Sequence, residues 1–135
     1  MKEPKEIILM MLNHDAFSKW LNINLIKIEK GYCTLSCKIN HQMLNGFKIL
    51  HGGITHSLSD SALAFAANAY GYKCVSIETS ISHIKPVKEG EILTIIATEI
   101  HRGKSIGFYE VNILNEKDNL VSKFKGTVKI SQDLW

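Results

Sequence analysis

The sequence has few prolines, few cysteines and no long apolar run, and each shortage removes a class of protein. Only Pro4 and Pro86 occur in 135 residues, and no repeat, low-complexity tract or Pro/Gly/Ser-rich linker divides the chain. A chain of this length builds one core and not two, so a single domain over residues 1–135 is expected. Cys33, Cys37 and Cys74 are an odd set without a Cys-x-x-Cys pair, which argues against a disulfide framework and for a reducing compartment. The apolar run Ile7–Leu12 follows Lys2, Glu3, Lys5 and Glu6. It is too short for a signal peptide or for the ~20 residues of a membrane span. A cytoplasmic location without a membrane partner is the expectation.

Charge of one sign is also scarce. Sixteen Lys+Arg against thirteen Asp+Glu leave +3, without the dense basic stripe of a nucleic-acid module. Metal chemistry lacks its pattern as well. No two of the six histidines lie four apart, and His51 and His56, five apart, diverge by ~140° around a helix. No Gly-x-Ser-x-Gly motif occurs. Gly103-Lys104-Ser105 is not a phosphate loop, because Thr98 stands where the earlier glycine belongs.

What is present is a globular pattern, 45% apolar and 21% charged. Pro4 to about His14 carries Ile7, Ile8, Met11 and Leu12 at helical spacing, predicting a short helix. From Ile23 to Ile39 the period becomes two, with a turn at Lys30-Gly31, which predicts a hairpin. After an irregular stretch from His41 to Gly53, a helical stripe of Ile54, Leu58, Ala62, Phe65 and Ala69 runs up to Gly71. Its alanines let another layer approach closely, so it is expected to be buried. Four extended segments follow. The first places Val75, Ile77 and Ile81 on one face until Pro86 stops it; the others cover Ile92–Ile100, Ser105–Leu114 and the region beyond the Asn115–Asn119 turn. The economical packing is α+β: one six-stranded antiparallel sheet curled around one long helix, with a short N-terminal helix.

The chemistry concentrates in Asn45-Gly-Phe-Lys-Ile-Leu-His51-Gly52-Gly53, with Asp60 two turns further on. Glycines entering a helix leave backbone N–H groups free where the dipole is positive, an arrangement that stabilises a developing oxyanion. The plainer alternative is a tight turn capped by His51. Asp60 sits in an otherwise apolar, alanine-rich helix, where a carboxylate is costly unless paired, exposed or used. Eight residues separate Gly52 from Asp60, ~12 Å along a helix, yet a reacting carbonyl needs its oxyanion donor and its base within ~3 Å each. If both serve one substrate, a second subunit must supply one of them.

These strings, with Ser82-His83-Ile84-Lys85-Pro86, Gly90-Glu91, His101-Arg102-Gly103-Lys104-Ser105 and Gly126-Thr127, resemble the hotdog-fold acyl-CoA thioesterases of the PaaI type over roughly residues 20–130. The resemblance implies a hotdog fold assembled as a homodimer and usually a homotetramer. It implies hydrolysis of an acyl-CoA thioester with no metal or other cofactor. Asn45 and the Gly52 amide, with His51 beside them, would polarise the carbonyl. Asp60 of the facing subunit would activate water or attack directly, and Ser76 would orient the water. Gly53, His83, Lys85, Pro86 and Lys88, with the His101, Arg102, Gly103, Lys104 and Ser105 turn, would hold coenzyme A; a solvated lysine rim is the alternative for the basic residues. His56, one turn before Asp60, and His83, where the family commonly has an aromatic or hydrophobic residue, depart from the pattern. A hotdog hydratase or dehydratase using a His56/Asp60 pair, and a non-catalytic acyl-CoA-binding or regulatory protein, are the competing readings.

Overall fold

A computed structural model describes all residues 1–135. Helix α1 (Pro4–His14) is followed at once by α2 (Ala16–Trp20), then by strands β1 (Asn24–Glu29) and β2 (Tyr32–Lys38). A single 3-10 turn (His41–Met43) leads to the long helix α3 (Gly52–Asn68). Strands β3 (Tyr72–His83), β4 (Ile92–Arg102), β5 (Ile106–Leu114) and β6 (Leu120–Leu134) complete the chain. All strand pairs are antiparallel, in the order β1-β2-β4-β5-β6-β3. The sheet curls around α3, as the alternation of periods implies. Leu58, Leu63 and Phe65 of the helix meet Leu35, Leu93, Tyr109 and Phe124 of the sheet in one core. Burying each such side chain stabilises the fold by about 1.5–3 kcal/mol.

Close approach of the two layers is visible at Gly126. A Cβ there would stand 2.7 Å from Leu63 Cδ2, so the sheet touches the helix where β6 has no side chain. The β1–β2 turn passes through Gly31, whose φ of +78° suits glycine. Its N–H donates to Ala66 O at 3.1 Å and its carbonyl accepts from Glu99 N at 2.9 Å, which ties the hairpin tip to the end of α3.

Three local features differ from the sequence expectation. The N-terminal helix is two helices, because Asp15 leaves helical geometry and caps a new turn: Ser18 N and Ser18 Oγ donate to its carboxylate at 2.9 and 2.6 Å. Strand β3 is bulged. Its pairing with β6 jumps between Ser76 and Glu78, and the extra residue flips the alternation. Buried Cys74 and partly buried Thr79 and Ile81 are therefore out of phase, while Val75 and Ile77 point outward, 66% and 58% exposed. The expected Val75–Ile77–Ile81 face does not form. Strand β4 is bulged in the same way between Glu99 and His101. Strand β3 is also a sheet edge, so this apolar pair lies beside unpaired backbone groups. No helix is long and apolar enough to cross a membrane.

Candidate active site

The loop before α3 is folded by Asn45. Its Oδ1 accepts from Phe47 N at 2.9 Å and from Ile49 N at 3.4 Å, and its backbone N–H donates to Ile49 O at 2.8 Å. This Asx-type turn engages the amide oxygen and leaves the Nδ2 hydrogens without a partner in the chain. His51 is the N-cap of α3, its Nδ1 accepting from Gly53 N at 2.8 Å. An accepting Nδ1 carries no proton, so this ring is held as the Nε2–H tautomer. The Gly53 amide is thereby engaged, whereas the Gly52 N–H donates to nothing in the chain. The capping expected as the plain alternative and the free amide expected for chemistry are both present, one residue apart.

Asn45 and Gly52 line one cavity of ≈ 470 Å³ with Thr55, His83, Lys85 and Pro86. A second cavity of ≈ 590 Å³ adjoins it through Ile49, Lys85 and Pro86 and adds Lys88 and Lys117. Two unengaged N–H donors thus share a hollow at a helix N-terminus, and its extension carries Lys85, Lys88 and Lys117 alongside Glu91 and Glu116. The backbone dipoles favour an anionic ligand at the helix entrance, and the lysines outnumber the carboxylates beside it.

Asp60 lies outside this cavity, partly exposed on α3 and without an ion pair. Ser61 beside it is held by Ser18, Oγ to Oγ, at 2.9 Å, so α2 packs against that part of the helix. Ser76 is exposed at the β3 bulge and is likewise outside the cavity. His56 turns toward the sheet: its Nε2 lies 3.1 Å from Thr79 Oγ1 and its ring meets Phe124 edge-on at 5.3 Å. That contact directs the Nε2 edge of the ring to β3 and not to Asp60.

The second basic group is elsewhere. Arg102, Gly103, Lys104 and Ser105 line a different cavity of ≈ 790 Å³ together with Tyr72 and Lys129. Tyr72 and His83 are the two ends of β3, and eleven strand steps span roughly 36 Å. One chain therefore does not gather the Lys85/Lys88 and Arg102/Lys104 groups around one phosphate. Arg102 is moreover turned inward by the β4 bulge. Its guanidinium stacks 3.9 Å over the Tyr70 ring and donates from Nη1 to Ala67 O and Tyr109 Oη, each at 3.2 Å. Burial works against its charge, but Tyr109 and then Cys74 outweigh it and hold its pKa above the usual guanidinium value. Tyr109 and Tyr70 donate to the two oxygens of Glu99, each at 2.8 Å, and burial foremost, then Glu99, raises both phenol pKa values. His101 points away from this network and packs its ring 6.2 Å from Phe108. Sequence reasoning missed Thr55, Glu99 and Lys117. The signals were a hydroxyl three residues after Gly52, a carboxylate in the apolar β4 run, and a lysine in the β5–β6 turn.

The thioesterase superfamily profile matches residues 47–122, which include the helix entrance, Asp60 and the His83–Pro86 cavity wall. The chain belongs to the thioesterase superfamily. It is 35% identical over 116 residues to the acyl-coenzyme A thioesterase PaaI of Escherichia coli, covering 86% of this chain and 83% of that protein. It is 30% identical to human acyl-coenzyme A thioesterase 13, covering 83% and 82% of the two chains. The solved E. coli PaaI structure superposes with a TM-score of 0.94 at 31% identity over 97% of this chain and 95% of that one. The hotdog architecture and the PaaI-type resemblance hold for this thioesterase as a whole.

Proposed function

We propose that this thioesterase hydrolyses acyl-coenzyme A to free acid and coenzyme A at a site shared between two subunits. The carrying observation is the pair of unengaged donors, Asn45 Nδ2 and Gly52 N–H, on one cavity while the only carboxylate of α3 stands two turns away without a partner. The thioester carbonyl sits against the two donors. Water adds to the carbonyl carbon, its proton passes to Asp60 of the partner subunit, and negative charge collects on the oxygen that the donors face. Direct attack by that carboxylate is the variant of the same step. The intermediate collapses with the C–S electron pair leaving on the coenzyme A thiolate. Ser76 orients the water, and His51 acts indirectly, by engaging Gly53 so that Gly52 is the free amide.

The edge strand supports the shared arrangement. Val75 and Ile77 are exposed on β3, whose outer backbone groups are unpaired. Antiparallel pairing of β3 with a second copy covers them. It also brings the Tyr72 end of one strand toward the His83 end of the other. The partner's His101–Ser105 turn then approaches the Lys85/Lys88 cavity, where the partner's Lys104 joins Lys85 and Lys88 on the phosphates of coenzyme A while Arg102 stays against α3. Two such dimers form the tetramer. The relatives named as acyl-coenzyme A thioesterases support the substrate class.

A thiol-release assay across aryl and short-, medium- and long-chain acyl-CoAs tests the reading. Wild type is expected to turn over at least one class and Asp60→Asn to lose about 10³-fold in kcat while still binding it. Absence of turnover on every member, or an unimpaired Asp60→Asn variant, overturns it.

A further inference from the structure

His83 has a geometry that the reaction above does not use. Its ring shares the cavity with Asn45 and Gly52, and a Cβ on residue 52 would stand 2.9 Å from its Nε2. The imidazole therefore occupies the space that glycine leaves open, beside the free amide. Thr55 fixes its protonation pattern. The Thr55 hydroxyl has one hydrogen and lies 2.9 Å from Gly52 O, an atom that only accepts. With that hydrogen engaged, the 3.2 Å contact to His83 Nδ1 runs the other way: Nδ1–H donates and the hydroxyl oxygen accepts. The nitrogen that gains or loses a proton is then Nε2, the one packed on Gly52.

No carboxylate lines the cavity. From the 84–87 connection the charged group is Lys85; from α3 the neighbours are Gly52 and Thr55; β6 contributes Val121, with Ser122 as the register partner of His83. His51, at the same helix end, has its Nδ1 engaged by Gly53 N–H. The nearest carboxylates, Glu91 and Glu116, line the adjoining cavity and not this one, so the group that favours a proton on Nε2 here is an oxyanion in the cavity. A neutral Nε2 presents a lone pair beside Gly52 and a protonated one presents a donor there. Such an interaction favours the transition state over the bound ester.

We propose that His83, oriented by Thr55, is a third and proton-dependent donor to the reacting carbonyl, beside Asn45 and Gly52. The inference deepens the thioester-hydrolysis reading and rests on it. His83 keeps its proton through the cycle: charge forms on the carbonyl oxygen, returns as the C–S bond breaks, and the thiolate leaves.

The test is the pH profile of kcat for hexanoyl- and benzoyl-coenzyme A in wild type, His83→Phe, His83→Gln and Thr55→Val. Wild-type kcat is expected to fall with rising pH on a limb that depends on His83. His83→Phe is expected to lose this limb and to lie about 10²-fold below wild type on the acid side, the gap closing on the alkaline side. His83→Gln, which keeps an N–H donor without a titrating proton, is expected to be flat and intermediate, and Thr55→Val to keep a limb of reduced amplitude. A wild-type limb retained in His83→Phe, or equal losses at every pH in folded His83→Phe and His83→Gln, overturns the proposal. Wild type inert toward both esters at every pH removes the hydrolysis reading itself, a distinguishable failure.

Discussion

The two ends of helix α3 are both polar and are built for opposite purposes. At the C-terminal end the carbonyls have partners: Gly31 N donates to Ala66 O, Arg102 to Ala67 O, and Asn68 Nδ2 to Ala64 O and Cys74 O. Asn68 Oδ1 in turn accepts from Cys74 N and Trp135 Nε1. At the N-terminal end the neighbours do the reverse. His51 engages Gly53, Asn45 folds its own loop with its oxygen, and the donors of Gly52 and Asn45 stay free. A saturated helix end fixes the fold; an unsaturated one, flanked by groups too engaged to fill it, is a place for a ligand's oxygen.

That contrast can be broken by exchanging the effects expected at each end. Asn45→Ala is expected to reduce kcat about 10²-fold by removing an oxyanion donor; a change confined to KM would leave the amide only a ground-state contact. Arg102→Leu is expected to act through stability, lowering it by about 2 kcal/mol. The loss combines a stacked cation, hydrogen bonds to Ala67 and Tyr109, and a Glu99 network deprived of its cation. Thermal and denaturant unfolding measure this, and a raised KM at unchanged melting temperature would return Arg102 to phosphate binding.

A smaller effect sharpens the contrast from within the core. Burial pushes the Cys33 and Cys37 thiols from 9.0 up to about 12 and about 11. Protonated thiols favour the folded state, so this contribution is complete below pH 9.0 and is lost as pH rises toward about 11–12. Thiol titration in native protein is expected to be slow, reaching all three cysteines only on unfolding. Rapid native reaction of Cys33 or Cys37 would contradict the burial.

The order of helices and strands was legible because apolar residues recur at 3.6 and at 2.0 in separate blocks, and the helix entrance was legible in Asn45, His51, Gly52 and Gly53. The bulges in β3 and β4 were not, because one extra residue in a strand carries no composition of its own. Yet the first exposes Val75 and Ile77, and the second turns Arg102 from an apparent phosphate ligand into a brace for α3. Thr55 went unread for a related reason. Its importance comes from hydrogen-bond direction toward His83, twenty-eight residues later, and spacing along a helix does not encode that.

The shared site is tested most directly by mixing Asp60→Asn chains with Asn45→Ala chains and verifying the heterodimers. Each mixed dimer then holds one site with both groups intact, so random reassortment of two inactive proteins is expected to restore about a quarter of wild-type turnover. Verified heterodimers with no more activity than either parent would contradict a carbonyl held by one subunit and attacked with the help of the other.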